Sequence, residues 1–183
     1  ALEDLGQREG FAARTAEMLE PIYRNRMDWP RFIAAREARV SAESDVTTRK
    51  ELLTQLGGLY EEGLGDLEKA LDTFARVFRE DIADRGGWDL VSRLAKLLGR
   101  YDKQATIYAE SLEAVSLDDD VTAELCFQTA QLFDKHVGDA QRARTFYKRA
   151  LAFDPARDEV FKAFEALLQR ENAHPELLAL YSE

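Results

Sequence analysis

Cysteine, histidine and proline are all scarce in this chain: one, two and four among 183 residues. Each scarcity removes a class of protein. A single thiol, Cys126, cannot build an internal disulfide framework. It sits on an apolar helix face, where a buried structural role is expected rather than a nucleophilic one. The two histidines, His136 and His174, lie 38 residues apart, with no His, Cys or paired carboxylate beside them at metal-ligand spacing. No metal and no cofactor is expected. Few prolines, ten glycines and no alternating β-branched runs point away from strands and towards long helices, so the chain reads as all-α.

Basic excess and long apolar runs are missing as well. Lys and Arg total 25 against 35 Asp and Glu, a formal charge of −10. Residues 1–50 hold nine bases and nine acids, so the acid surplus falls in residues 51–183. A net repulsive field argues against nucleic acid as a partner, because such binding needs a basic face that releases counterions. No uncharged run approaches the roughly 20 residues that span a bilayer. The start, Ala1-Leu2-Glu3-Asp4-Leu5, has no signal-peptide pattern, which makes the cytoplasm the default compartment. Both ends stop inside helix-like patterns, so a segment of a longer protein is expected.

What the chain does have is an internal echo. Glu51-Leu52-Leu53-Thr54-Gln55, Leu59-Tyr60, Gly65-Asp66, Ala70 and Phe74 return 73 residues later as Glu124-Leu125-Cys126-Phe127-Gln128, Leu132-Phe133, Gly138-Asp139, Ala143 and Tyr147. Repetition at fixed spacing means stacked equivalent units. Apolar residues recur at three- and four-residue spacing throughout. Stop and cap signals divide them into ten helices, at 10–26, 28–43, 47–63, 66–82, 87–98, 101–116, 120–136, 139–153, 157–171 and 174–183, after a remnant at 1–7. Pro21 falls inside the first helix and predicts a kink or two shorter helices there.

The turns within hairpins fall at Met27, Gly65, Gly99, Gly138 and Asn172, separated by 38, 34, 39 and 34 residues. They form two classes. Gly65 and Gly138 are followed by Asp; Met27, Gly99 and Asn172 are followed two positions later by the rings of Trp29, Tyr101 and His174. The composite repeat is therefore one long and one short hairpin.

A period near 34 residues, with Leu53-x2-Leu56-Gly57-x2-Tyr60, Ala70-x3-Phe74 and then Cys126-x2-Thr129-Ala130-x2-Phe133, Ala143-x3-Tyr147, Ala150 and Pro155, resembles the tetratricopeptide repeat. Trp88, Gly99, Tyr101 and Tyr108 carry the middle unit; Tyr23 and Trp29 hold their places in the first, but Arg36 stands where an aromatic belongs. The resemblance implies one repeat domain over 1–183, a right-handed superhelical stack of hairpins with units near 10–45, 47–82, 87–116, 120–155 and 157–183. Gly65 and Gly138 come one residue late, which implies an extra residue in the first helix or turn of the long units.

The residues show no catalytic constellation. No serine sits in an elbow motif, Asp118-Asp119-Asp120 lacks the spacing and glycine of a calcium loop, and Gly63-x-Gly65 and Gly86-Gly87 follow helices rather than strands. The chain does not read as an enzyme. The resemblance implies instead a protein-interaction scaffold whose concave face, lined by the first helix of each hairpin, takes a peptide or partner protein. By register that face includes Arg14, Glu17, Arg24, Glu51, Thr54, Asp89, Arg93, Lys96, Glu124, Phe127 and Gln131, extended by Lys162. The carboxylate-gripping Lys, Asn and Arg set of some family members is absent from the matching positions.

Arg24, Arg93, Lys96, Phe127 and Gln131 are the candidate partner-binding residues. Phe127, off the packing stripe and flanked by cations, could anchor an acidic-aromatic peptide. The structural role comes first, however: Phe127 packs between units and the cations pair with nearby acids. Two other functions fit the same chain. One is self-assembly end to end, through a terminal apolar face of Phe161, Phe164, Leu167, Leu177 and Leu180. The other is a regulatory region of a larger multidomain protein.

Overall fold

A computed structural model describes residues 12–114 and 118–181. Among them the chain is helical without a strand: α1 Ala12–Asn25, α2 Trp29–Ala42, α3 Val46–Gly58, α4 Leu67–Glu80, α5 Arg85–Leu98, α6 Tyr101–Ala114, α7 Asp119–Leu132, α8 Ala140–Phe153, α9 Asp158–Arg170 and α10 His174–Leu180. The ends expected at 10–11, 115–116 and 182–183, and the remnant at 1–7, lie outside the described residues. Elsewhere most boundaries agree to a residue or two. The chain divides into two compact units, residues 1–94 and 95–183.

Aspartates start the helices. Asp45, Asp66 and Asp139 each accept a hydrogen bond from the backbone N–H three residues on, at 2.8, 3.1 and 3.0 Å. That satisfies donors the first helical turn would otherwise leave orphaned. Two sequence expectations are corrected. The helix expected from Gly87 starts two residues earlier, at Arg85, so Gly86 and Gly87 both lie in its first turn, and Asp84 accepts from Gly86 N–H at 3.0 Å. Gly87 packs closely: a Cβ there would lie 3.1 Å from the Phe78 backbone. Pro21 does not split the first element, since α1 runs through it. Its ring faces solvent, where the carbonyl it leaves unbonded can be hydrated.

The two turn classes are two hydrogen-bond patterns. The only residues with positive φ among those described are Met27, Gly65, Gly99, Gly138 and Asn172, the five turn positions marked in the sequence. At the short turns, Asp28, Arg100 and Ala173 donate to the carbonyl five residues back, at 2.9, 2.8 and 2.9 Å, and the left-handed residue donates three back. This is the Schellman closure of a helix. At the long turns the helix first widens into a π turn, Leu59–Gly63 and Phe133–Val137. Asp66 and Asp139 then reach six residues back, to Tyr60 and Phe133, at 2.8 and 3.0 Å. The additional residue of the long hairpins is absorbed there.

Met27 has φ of 54° with its side chain 72% exposed. Its Cβ is strained in the left-handed region and gains little from burial. Met27→Gly is expected to raise the unfolding free energy by about 0.5–1 kcal/mol, read as a higher urea midpoint at unchanged slope. A lower midpoint would mean that the Met27 side chain supports the turn.

In the first unit, small residues let helices close on aromatic rings. Ala70 and Leu56 are fully buried, and a Cβ on Gly57 would fall 2.4 Å from the Phe74 ring. Trp88 is 3% exposed and donates its indole N–H to the Ile82 carbonyl at 2.6 Å, under the Arg85 guanidinium. Arg36, at the position expected to be aromatic, is also buried, and its charge is met by Glu20.

In the second unit, Ala130 and Ala143 occupy the small positions, and both are fully buried. Tyr147 stacks on Phe164 with centroids 5.7 Å apart, and Phe133 stacks on Phe146 at 5.8 Å. Cys126 is fully buried, and burial pushes its thiol up to about 11. An inert structural thiol is what such a position produces. The apolar face expected at the end of the chain is not exposed as expected. Phe164, Leu167 and Leu180 are buried inside the last hairpins, because α10 folds back over α9.

Candidate protein-binding site

Most charged groups on these helices already have partners. Arg49 meets Glu80 at 2.5 Å, Lys50 meets Asp84 at 2.7 Å, and Arg76 grips Glu37 at 2.6 and 2.8 Å. Against that background, an unpaired group on a recessed surface stands out.

In the first unit, Arg24 is exposed and carries no ion pair among the described residues. Arg93, the other candidate there, is spoken for. Its guanidinium donates to both carboxylate oxygens of Glu61, at 2.5 and 2.8 Å. The bidentate pair holds the Glu61 carboxyl below its ordinary range and Arg93 above its own. A ligand recruiting Arg93 would have to compete with Glu61.

In the second unit, Lys96 is exposed on α5 without an ion pair among the described residues. Phe127 and Gln131, four residues apart on α7, line one recess of about 390 Å³. Phe127 takes the packing role set first for it in the sequence, not that of an off-stripe anchor. It is 7% exposed, with the Tyr147 ring 6.2 Å away and the Arg157 guanidinium 5.3 Å above its own ring. It supplies the apolar floor of the recess and does not project from it.

The chemistry of the walls follows from which groups are engaged. Glu124 accepts from Gln128 through one oxygen, at 2.8 Å, and from Arg157 through the other. Its charge is met by Arg157, which also donates to Glu159 at 2.6 Å. Gln104, on α6, reaches Tyr108 at 3.3 Å. Gln131 is half-buried and Lys135 exposed, both without a polar partner among the described residues. The His136 ring lies flat on Tyr101, with centroids 4.0 Å apart and planes 14° from parallel.

Lys135 and Gln104 carry no motif in the sequence, and His136 is read there only as a histidine without metal-ligand spacing. Lys135 is i+4 from Gln131, a weak signal of a shared face. What places it and His136 at the recess is the π turn Phe133–Val137, whose rotation a uniform 3.6-residue reading does not contain. Of the remaining expected lining, Glu51, Thr54 and Asp89 are exposed, and Lys162 pairs with Asp158 at 2.5 Å. No group of three or more His, Cys, Asp or Glu that could hold a metal occurs among the described residues. No helix among them is long and apolar enough to cross a membrane.

A second recess, about 610 Å³, lies in the last hairpins. It is lined mainly by Leu151, Pro155, Phe161, Phe164 and Leu180, with Lys148 and Glu176 at its edge. These two charges pair with each other at 2.9 Å.

No family model matches the chain, and no curated protein matches it in sequence. Among solved structures it is similar to a crystal structure of the MamA protein, at 13% identity over 94% of this chain and 90% of that one, with TM-score 0.48. A second crystal structure of MamA shares 13% identity over 90% and 91%, with TM-score 0.49. MamA from residue 41 to its end, from Desulfovibrio magneticus RS-1, shares 14% over 96% and 94%, with TM-score 0.46.

Proposed function

We propose that this tetratricopeptide-like array of helix hairpins is a non-catalytic protein-interaction module that takes a peptide or partner protein along the faces of its first helices. The observation that carries this reading is the α7 recess, where Gln131 and Lys135 are left unpaired above the Phe127 floor while neighbouring charges are matched. Carboxamides suit an extended chain because each both donates and accepts hydrogen bonds, as a peptide backbone does.

Peptides selected from a random library against the whole protein test the reading. Binding is expected to be lost on Gln131→Arg, which fills the recess from a half-buried position, and to survive Lys162→Gln on an exposed surface. Peptides that bind the Gln131→Arg variant as well as the parent protein would place the interaction elsewhere.

The apolar recess of the last hairpins favours a second reading, self-assembly, since Ala179 at its edge is exposed and a second copy could cover it. A single monomeric species in sedimentation at high protein concentration would remove it.

A further inference from the structure

The repeat gives each position a counterpart one hairpin away, and two sets of counterparts disagree in burial. In the short hairpins, Ile22, Leu94 and Leu167 each stand five residues before the left-handed turn residue. Leu94 and Leu167 are fully buried, whereas Ile22 is 38% exposed, and Met18, one turn earlier on α1, is exposed as well. Nine residues after the turn residue stand Arg36, Phe74, Tyr108, Tyr147 and Tyr181. The first four are buried, but Tyr181 is 56% exposed. Leu178, three residues before it on α10, is exposed too.

The buried counterparts show what covers such positions. Tyr147 on α8 stacks on Phe164 of α9, with centroids 5.7 Å apart, and Leu167 lies one turn further along α9. A second helix thus gives its ring to the first helix of the hairpin that follows, as stacked repeats do. Counted from the turns, Tyr147 corresponds to Tyr181, and Phe164 corresponds to the half-buried Leu19. So α1 carries the receiving half of this contact and α10 the offering half. The ring nearest Tyr181 is that of Phe161, 5.9 Å away in its own hairpin.

We propose that α10 of one copy docks on α1 of a second copy, repeating between molecules the contact that α8 and α9 make within one. This rests on the self-assembly reading and names the two surfaces that join. Ala179, at the edge of the apolar recess, lies between Leu178 and Tyr181, so the same contact covers that edge. The two faces differ, which makes the contact heterologous. Each joined pair keeps one free face of each kind, and stacking runs on as an open series or closes as a ring.

Sedimentation velocity of the whole protein over a range of concentrations is the test. The parent protein is expected to form species larger than one copy as concentration rises. Ile22→Asp blocks the receiving face and Leu178→Asp the offering face, because each puts an unpaired carboxylate into an apolar contact. Each variant alone is expected to stay monomeric, its association weakened more than about tenfold. An equimolar mixture of the two is expected to give a complex of one copy of each and nothing larger, since one intact face of each kind remains. That complex also shows that both variants are folded at their intact faces. Met18→Asp, at a more exposed position, takes the place of Ile22→Asp if circular dichroism shows that variant unfolded.

A mixture that stays monomeric while the parent associates overturns the proposal. So does either variant associating as strongly as the parent, and in both cases self-assembly through another surface stands. A parent that is monomeric at every concentration overturns the proposal and the self-assembly reading together. A library peptide that binds the monomeric parent and is lost on Ile22→Asp would overturn it too, by assigning the α1 face to a different protein.

Discussion

Glu20→Ala is expected to lower the unfolding free energy of the protein by about 3–5 kcal/mol, because it leaves a buried guanidinium without its counter-charge. Glu20 and Arg36 are 6% and 10% exposed at their side chains. Both carboxylate oxygens are used: Arg36 donates to each at 2.8 Å, and Arg39 adds a third bond at 2.7 Å. The remaining arm of Arg36 reaches Gln55 at 2.5 Å. One ionic cluster therefore ties α1 and α2 to α3. Domain stability is commonly only about 5–15 kcal/mol, so a loss of this size would be plain in a urea titration.

The energetic origin can be separated from mere loss of contacts. A buried ion pair often does little better than apolar residues of the same volume, whereas half a pair is costly. Glu20→Leu combined with Arg36→Leu is accordingly expected to recover most of the stability lost by Glu20→Ala. A double variant as unstable as the single one would show that geometry specific to the cluster, rather than an orphaned charge, sets the loss.

The second large effect is expected in the other unit. Tyr147→Ala should cost about 3–5 kcal/mol, as truncation of a fully buried aromatic does. The ring is packed against Phe164 and Phe127, and its hydroxyl donates to Asp134 at 3.2 Å. Asp134 also accepts from Arg170, so the hydroxyl belongs to a network joining the π turn, α8 and α9. Tyr147→Phe keeps the ring and should cost only about 1 kcal/mol, the worth of a typical hydrogen bond.

This tyrosine also sets an alkaline limit. Burial, reinforced by the neighbouring Asp134 carboxylate, raises the pKa of the hydroxyl far above its ordinary value near 10. A group raised in the folded state contributes stability that is complete below its unfolded pKa and declines as pH rises above it. Stability should therefore begin to fall above about pH 10, and Tyr147→Phe should flatten that decline. An identical alkaline profile in the two proteins would assign the effect to other groups.

The turns were the most legible feature, for a physical reason. A left-handed residue at a helix end favours glycine or asparagine, so Gly65, Gly99, Gly138 and Asn172 were visible directly. Met27 violates that preference and was found only by its phase in the repeat. Gly57 was legible as a small position, and the Phe74 ring that a Cβ would strike explains why it is smaller than the equivalent Ala130.

The site was less legible. A single apolar stripe accounts for one face of a helix, so it leaves the packed and the anchoring roles of Phe127 both open. Yet α7 is buried on several sides, with Leu125, Cys126, Phe127, Thr129 and Ala130 all inside. That Arg93 pairs with an acid is expected from the sequence, but which acid is not, because Glu61 lies 32 residues away on another helix. Pairing across hairpins depends on side-chain reach and helix rotation, neither of which a linear pattern contains.

By itself, then, the sequence determined the helical class, the hairpin order, the five turns and the two turn classes. These are local properties, set by apolar spacing and by which residues tolerate a left-handed backbone. Tertiary structure decided the rest. It made the additional residue of the long hairpins a π turn, made Arg36 half of a buried ion cluster, and left Gln131 and Lys135 unpaired at the α7 recess. Charge compensation is non-local, so which polar groups remain for a partner is settled only when the helices meet.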